Sequence, residues 1–431
     1  MKTKYFILLF ILLVTLVVVY IFSPSNFIES GNREIKIYYI DNISTAHQKI
    51  IDNFNEIHKG KIKVVPIDIP FYKFSTNERK ELLIRSLRSK SKRIDIFAAD
   101  LVWVSRFSKW AEPLDKYFTK NELENLLPKA YETCKFNNQL IASPLYLDVS
   151  VLFYRKDLLS KLPNFSLIKS KLDKSITWKD FIKLSRKTKF GDKYYIFPAD
   201  EYEGLICSYN DLVLSADSTF YNHEIDFTKP SSIRAAKLLH DLTNRYKISP
   251  KNIINFREKN AFSSFFKYGG LFLRGWQSFK NDTKNLDQSA AKEALLGVTQ
   301  LPHFSDGSRG STIGGWNLML TKNSSHKKEA VEFMKFFLNK KSQEILYSVG
   351  SYLPVTNELY SDSAFISKYP DLIFNKKLLN EGLLRPKLVN YTKISDILSH
   401  FLRLTIAGEL APKKAMEKTQ YEISNSLGFN E

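Results

Sequence analysis

The chain has 431 residues, past the size at which one hydrophobic core keeps growing, so two globular lobes are expected. Hydrophobic residues make up 44% and charged residues 25%, which excludes intrinsic disorder. The net charge of +19 raises nucleic acid or anionic lipid as partners, but lysine is spread along the whole length. The densest basic run, Arg85 to Arg93, also lacks the interleaved aromatics that stack on bases, so no nucleic-acid partner is expected.

Taken in chain order, Tyr5 to Phe22 is an uncharged apolar run of 18 residues preceded by Lys2 and Lys4. Its length suits a membrane span, and the flanking lysines hold the N-terminus on the cytoplasmic side, which exports everything after Ser23. Residues 1–22 are therefore read as an N-terminal transmembrane anchor or a signal peptide. The long core and its IFSPSNF exit favour an uncleaved tether over a cleaved signal, with residues 23–33 as a spacer. No cysteine lies nearby to carry a lipid instead.

Glu34 to Ile40 alternates like a strand, and Ala46 to His58 places Ile50, Ile51, Phe54 and Ile57 on one helical face. Lys61 to Ile69 reads as a strand, Glu78 to Leu87 as an amphipathic helix and Ile94 to Ala98 as a buried strand. The opening is thus a βαβαβ unit, with ligands expected at the carboxyl ends of its strands. A strand at Ser150 to Tyr154 and helices at Trp178 to Thr188 and Ile233 to Tyr246 indicate a second α/β lobe. A strand within Gly310 to Lys322 and a helix over Lys327 to Leu338 follow, with a glycine- and proline-punctuated loop from Gly350 to Pro354.

The two cysteines, Cys134 and Cys207, and the seven histidines match no metal-ligand spacing, so neither metal nor cofactor is expected. In an exported protein the two thiols form either one disulfide or two buried free cysteines.

Chemistry concentrates where carboxylates and aromatic rings flank turns. Such groups bind sugars by accepting from or donating to hydroxyls and by packing a flat ring on the apolar C–H face. In Asp95 to Leu114, Asp100 and Trp103 follow a strand end; in Pro144 to Leu158, Tyr146 and Asp148 precede an apolar strand. At this point the sequence resembles the family 1 extracellular solute-binding proteins, especially the trehalose/maltose-type carbohydrate binders of ABC importers. Trp178 to Leu184 is similar to that family's TWDEL helix, and Tyr202-Glu203-Gly204-Leu205 to its second-lobe helix start. Phe265 to Trp276 resembles the segment delivering a stacking tryptophan, and Gly314-Gly315-Trp316 its Gly-Gly-Trp turn. Lys327 to Phe337, Tyr352 to Pro354 and Arg385-Pro386 complete a series covering roughly residues 35 to 410.

The resemblance implies a two-lobed α/β periplasmic-binding-protein fold of the class II type. Lobe 1 would comprise residues 34–143 plus 303–355, and lobe 2 residues 144–302 plus 356–431. It also implies an interlobe cleft formed by Asp100, Tyr146, Asp148, Trp276, Gly315, Trp316 and Arg385, with Arg79 either a ligand contact or a solvated helix arginine. Asp148 is open to a second reading as a strand-turn cap, Tyr202 and Glu203 as helix N-terminal residues, and Trp103 as lobe core. Trp276 and Trp316 follow glycine-containing turns, which favours ligand platforms. Where similar proteins place a glutamate after the first strand, this chain has Asp41-Asn-Ile-Ser-Thr45.

The implied function is capture of a small, disaccharide-like carbohydrate by a monomer and delivery to the permease of an ABC importer. The alternative within the same fold is a ligand sensor docking a membrane receptor. A glycan-active enzyme is disfavoured, since the paired carboxylates occupy binding positions and no GxSxG, P-loop or metal motif is present.

Overall fold

The structure, a computed structural model, describes residues 11–15, 34–71, 73–74, 76–89, 94–222, 224–280 and 295–428. The opening folds as its periodicity dictates: β1 (Ile35–Asp41), α1 (Thr45–Ile57), β2 (Ile62–Asp68), α2 (Thr76–Arg88) and β3 (Ile96–Asp100). β1 pairs in parallel with both β2 and β3, as right-handed crossovers require. Ser44 caps α1 by accepting from the His47 amide, and Ile50, Ile51 and Phe54 are buried. Ile57, expected on the same face, is instead 69% exposed, because it is the last residue of the helix, where the chain turns away toward β2.

The centre of the sheet comes from two strands distant in sequence, β4 (Ser143–Arg155) and β8 (Thr312–Leu320). Between them lie α3 (Trp178–Ser185), β5 (Tyr195–Ile196), α4 (Glu203–Ala216), α5 (Pro230–Asn244), α6 (Glu258–Lys267), β6 (Phe272–Trp276) and β7 (Leu296–Thr299). After β8 come α7 (Lys327–Leu338), α8 (Lys340–Gly350), α9 (Asp371–Glu381), β9 (Leu383–Leu384), α10 (Tyr391–Ala407) and α11 (Pro412–Gly428).

The strand order is β2-β1-β3-β8-β4-β6-β5, with β9 beside β8 and β7 beside β4. β4 is longer than the five residues its alternation suggests. Ser143 to Val149 pair antiparallel with β8, and Ser150 to Tyr154 with β6, so one strand runs through both halves of the sheet. It is buried on both faces along nearly its whole length, and its apolar residues are interrupted only by Ser143, Asp148 and Ser150 before Arg155 ends it.

Two hydrophobic clusters fill the molecule, and the first continues past the seam through Phe153, Phe262, Phe265 and Leu273. The first gathers Ile37, Phe54, Phe97, Phe333 and Leu353 under β1 to β3 and α7. The second gathers Phe181, Leu205, Leu242, Phe272 and Leu402 among α3, α4, α5 and α10. The chain is thus two-lobed. Leu372, Leu378 and Leu379 of α9 pack in the first cluster, whereas Leu398, Leu402 and Ile406 of α10 pack in the second.

Cys134 and Cys207 are both free and buried, so the disulfide reading is replaced by two buried thiols, and burial holds the Cys134 thiol up at about 12. The apolar run Tyr5 to Phe22 lies outside the described residues except for Ile11 to Thr15, which are helical. Among the described residues no helix is long and apolar enough to cross a membrane.

Candidate functional site

The seam between the lobes collects the expected residues by strand register. Trp316 of β8 sits opposite Asp100 of β3 on one side and Tyr146 of β4 on the other. Gly314 faces Asp148, and Ser150 faces Trp276 of β6. Residues separated by more than 200 positions are thereby brought to neighbouring rungs of one sheet. Gly315 lies between them at φ +142°, and a Cβ there would stand 2.5 Å from the Tyr146 carbonyl oxygen, so only glycine fits.

On the first lobe, Arg79 is not a solvated helix arginine: it is 1% exposed. Its Nη2 donates to Asp41 Oδ1 at 2.9 Å, and its guanidinium packs against the rings of both Phe71 and Trp316, 4.1 and 4.3 Å from their centroids, which themselves meet edge to face at 5.4 Å. Asp41 also accepts from the Tyr39 hydroxyl at 2.6 Å and from the Asn42 amide, so the end of β1 is a fully engaged carboxylate. Trp103 is 2% exposed and packs edge-on behind Trp316 at 5.7 Å, within the first core. The Tyr146 ring stacks on Tyr352, 4.1 Å between centroids and 26° between planes.

Arg385 joins the two lobes. Its Nη2 donates to Asp100 Oδ1 at 2.8 Å and its Nη1 to Glu203 Oε1 at 2.6 Å. Glu203, at the start of α4, accepts further from Tyr391 and Ser395 of α10, each at 2.6 Å. With a longer contact from the Cys207 thiol at 4.0 Å, its carboxylate is thus occupied by four side chains. Burial pushes the Asp100 carboxyl above its ordinary value, and the Arg385 charge opposes that rise. Tyr202 is buried, with its hydroxyl bonded to Glu258 of α6 rather than to this cluster.

On the second lobe, Trp276 is half-buried beneath the Arg274 guanidinium, 4.5 Å from its ring centroid. Arg274 in turn donates from Nε to Asp211 Oδ2 at 2.8 Å. Asp148 is more than a turn cap: its Oδ1 accepts from the Val149 amide at 2.9 Å and from the Ser278 amide at 3.3 Å. Burial raises its carboxyl to about 7, against the hydrogen bonds and the Arg274 charge that lower it. Several polar atoms around the seam are buried with no bonding partner among the described residues, including Arg79 Nε and Nη1, Arg274 Nη1 and Nη2, and Arg385 Nε.

Sequence reasoning missed Asp41, Phe71, Asp211, Arg274 and Tyr391. Arg274 alone carried a local signal, since it stands two residues before Trp276 in a strand and so faces the same side. Among the described residues no three His, Cys, Asp or Glu side chains converge where a metal ion would sit.

A sequence profile described as bacterial extracellular solute-binding protein matches residues 40–344, well over half of the chain. A "Probable ABC transporter-binding protein" of Deinococcus radiodurans is 23% identical over 82% of this chain and 84% of its own. The "Galactooligosaccharide-binding protein" of Bacillus subtilis is 22% identical over 71% and 70%. Among solved structures, maltose-bound MalE3 of T. maritima superposes with a TM-score of 0.80 at 23% identity, covering 91% of this chain and 99% of that one. The GacH receptor of Streptomyces glaucescens does so at 0.76 and 18%, covering 91% and 98%. These likenesses share the two-lobed α/β periplasmic-binding-protein fold. The chain belongs to the bacterial extracellular solute-binding proteins, an exported family that captures solutes rather than transforming them.

Proposed function

We propose that the solute is a small neutral carbohydrate of disaccharide size, held at the interlobe seam and handed by a monomeric chain to the permease of an ABC importer. The observation that carries this reading is the placement of Trp316 on β8 and Trp276 on β6 with Asp148 of β4 between their strands, and of Asp100, bonded to Arg385, on the β3 side of Trp316. Two aromatic platforms flanking hydrogen-bonding groups match the alternation of C–H faces and hydroxyls on a pyranose. Charge balance favours a neutral ligand. Arg79, Arg274 and Arg385 are each already paired with buried carboxylates, so none of the three is a spare cation for an anionic solute. The relatives point the same way: one is described as bound to maltose and another as binding galactooligosaccharides.

Ligand contacts in this reading are Arg79, Asp100, Tyr146, Asp148, Trp276, Gly315, Trp316 and Arg385, with Trp103, Tyr202 and Glu203 supporting them from behind. In place of residues 143/144 we set the first division after Val149, where the pairing of β4 passes from β8 to β6, and keep the second at 302/303; α9 goes with the first lobe, since its Asn375 donates to Tyr347 of α8 at 3.3 Å. The apolar run before residue 23 tethers the exported lobes to the membrane, which fractionation of the intact chain with the membrane pellet would verify.

The test of the ligand is a thermal-shift screen over mono- and disaccharides and polyols. A saturating disaccharide at about 100 Kd stabilises by roughly 2.7 kcal/mol, a rise of a few degrees in Tm. Trp316→Ala abolishes that rise. A broad panel with no hit would defeat the carbohydrate reading.

A further inference from the structure

Each tryptophan at the seam stands at the end of the same three-part arrangement, built once on each lobe from unrelated segments. On the first, Asp41 holds Arg79 at 2.9 Å and Arg79 covers a face of Trp316 at 4.3 Å. On the second, Asp211 holds Arg274 at 2.8 Å and Arg274 covers a face of Trp276 at 4.5 Å. Both arginines are 1% exposed, and among the described residues each keeps two guanidinium nitrogens without a partner, Nε and Nη1 in Arg79 and Nη1 and Nη2 in Arg274.

We propose that Asp41 and Asp211 are positioning residues for ligand capture, each fixing an arginine that both clamps one face of its tryptophan and offers unpaired N–H groups to the solute's oxygens. The ligand part of this assignment rests on the carbohydrate reading above. A planar guanidinium laid on an indole restricts the ring to one orientation, so the side chain loses little rotamer freedom when a sugar stacks on it. The carboxylate supplies the other half of the restraint. It bonds one edge of the guanidinium and leaves the remaining edge aimed elsewhere, where a buried donor without a partner gains by donating to a hydroxyl oxygen in place of nothing. Closure of the lobes explains why the arrangement is duplicated. It brings together two faces, and a ring loose on either would have to be ordered at the moment of binding. Neither carboxylate need touch the ligand.

The experiment uses the folded chain labelled with 5-fluorotryptophan and read by 19F NMR without ligand, with the five tryptophan lines assigned by Trp→Phe substitutions. Asp41→Asn is expected to shift and broaden the Trp316 line while leaving Trp276 and Trp178 in place; Asp211→Asn does the reverse. A general loosening would move Trp178 and Trp110 as well. Maltose is the ligand probe, and each substitution raises its Kd by about ten- to a hundredfold, the loss expected for freeing a charge-assisted hydrogen bond. Both carboxylates accept further hydrogen bonds, Asp41 from Tyr39 and the Asn42 amide and Asp211 from Ser150 and the Thr312 amide, so either variant carries a risk of misfolding. Arg79→Lys and Arg274→Lys, which keep the charge and remove the planar face, then serve as second variants and move the same lines as Asp41→Asn and Asp211→Asn respectively. Unmoved Trp316 and Trp276 lines overturn the proposal, as does an unchanged Kd for maltose in both variants. If the unsubstituted chain binds neither maltose nor any other sugar, the carbohydrate reading falls, and the ligand-free 19F spectra alone decide the positioning role.

Discussion

Asp148 is a carboxyl held close to neutrality by its surroundings. Burial lifts it from near 3.8 to about 7, outweighing two backbone amides that favour the anion. The folded chain thus binds this proton more tightly than the unfolded chain does. The stability Asp148 supports is complete below about pH 4 and is lost as the pH rises to about 7. Asp148→Asn keeps an oxygen acceptor for both amides and cannot ionise. Its unfolding free energy should therefore exceed that of the parent by a margin that grows from pH 5 to pH 8, with a ceiling on the order of 4 kcal/mol. Urea titrations across that range measure it, and a margin independent of pH would show that the carboxyl is not so perturbed.

At the scale of elements, the decisive pieces are β4 and β8, which build the seam from segments far apart in the chain. Their pairing is irregular at one place, with a shift between Trp316 and Asn317, directly after the glycine whose backbone only a residue without Cβ accommodates. Gly315→Ala combines a strained φ with a collision against the Tyr146 carbonyl, and is expected to cost about 2–4 kcal/mol in urea unfolding. It should also weaken ligand binding, because it moves Trp316 and Tyr146 together. Gly60, also at positive φ but with open space around it, is the control: Gly60→Ala should cost about 1 kcal/mol and leave binding intact.

For the whole molecule, the contacts that cross between lobes hold them together through charges. Arg385 bonds Asp100 from the first lobe and Glu203 from the second, and Asn77 of α2 donates to Asp396 of α10 at 3.1 Å. Arg385→Met leaves two buried carboxylates facing each other without a cation, and separation of the lobes is the route by which they regain water. Small-angle scattering of the ligand-free variant should show a larger radius of gyration than the parent, and unfolding should cost about 3–5 kcal/mol less. An unchanged radius would mean that Arg385 does not govern closure. The energy available to a ligand is the difference in its contacts between open and closed forms, so the same substitution should weaken binding even where Arg385 touches few ligand atoms.

Much of this was legible in the residues themselves. The alternation of Ile35 to Asp41, the capped face of α1 and the run of Lys327 to Phe337 encode their own elements, because a half-buried strand or helix prints its period on the sequence. The ordered series of short motifs was enough to point to the family and to name Asp100, Asp148, Trp276, Trp316 and Arg385. Fully buried pieces print no period. α4, nearly all of whose residues are buried, was visible only at its first turn, and β4 looked like five residues instead of thirteen. Partnerships were invisible for a different reason: nothing in the order of residues says that Asp41 meets Arg79, that Asp211 meets Arg274, or that Glu203 is shared by Arg385, Tyr391 and Ser395. The order of residues was sufficient for the class of fold and for the kinds of side chain at the seam. Which of them are paired emerges on folding, because pairing depends on distances set by strand register and helix packing across hundreds of residues.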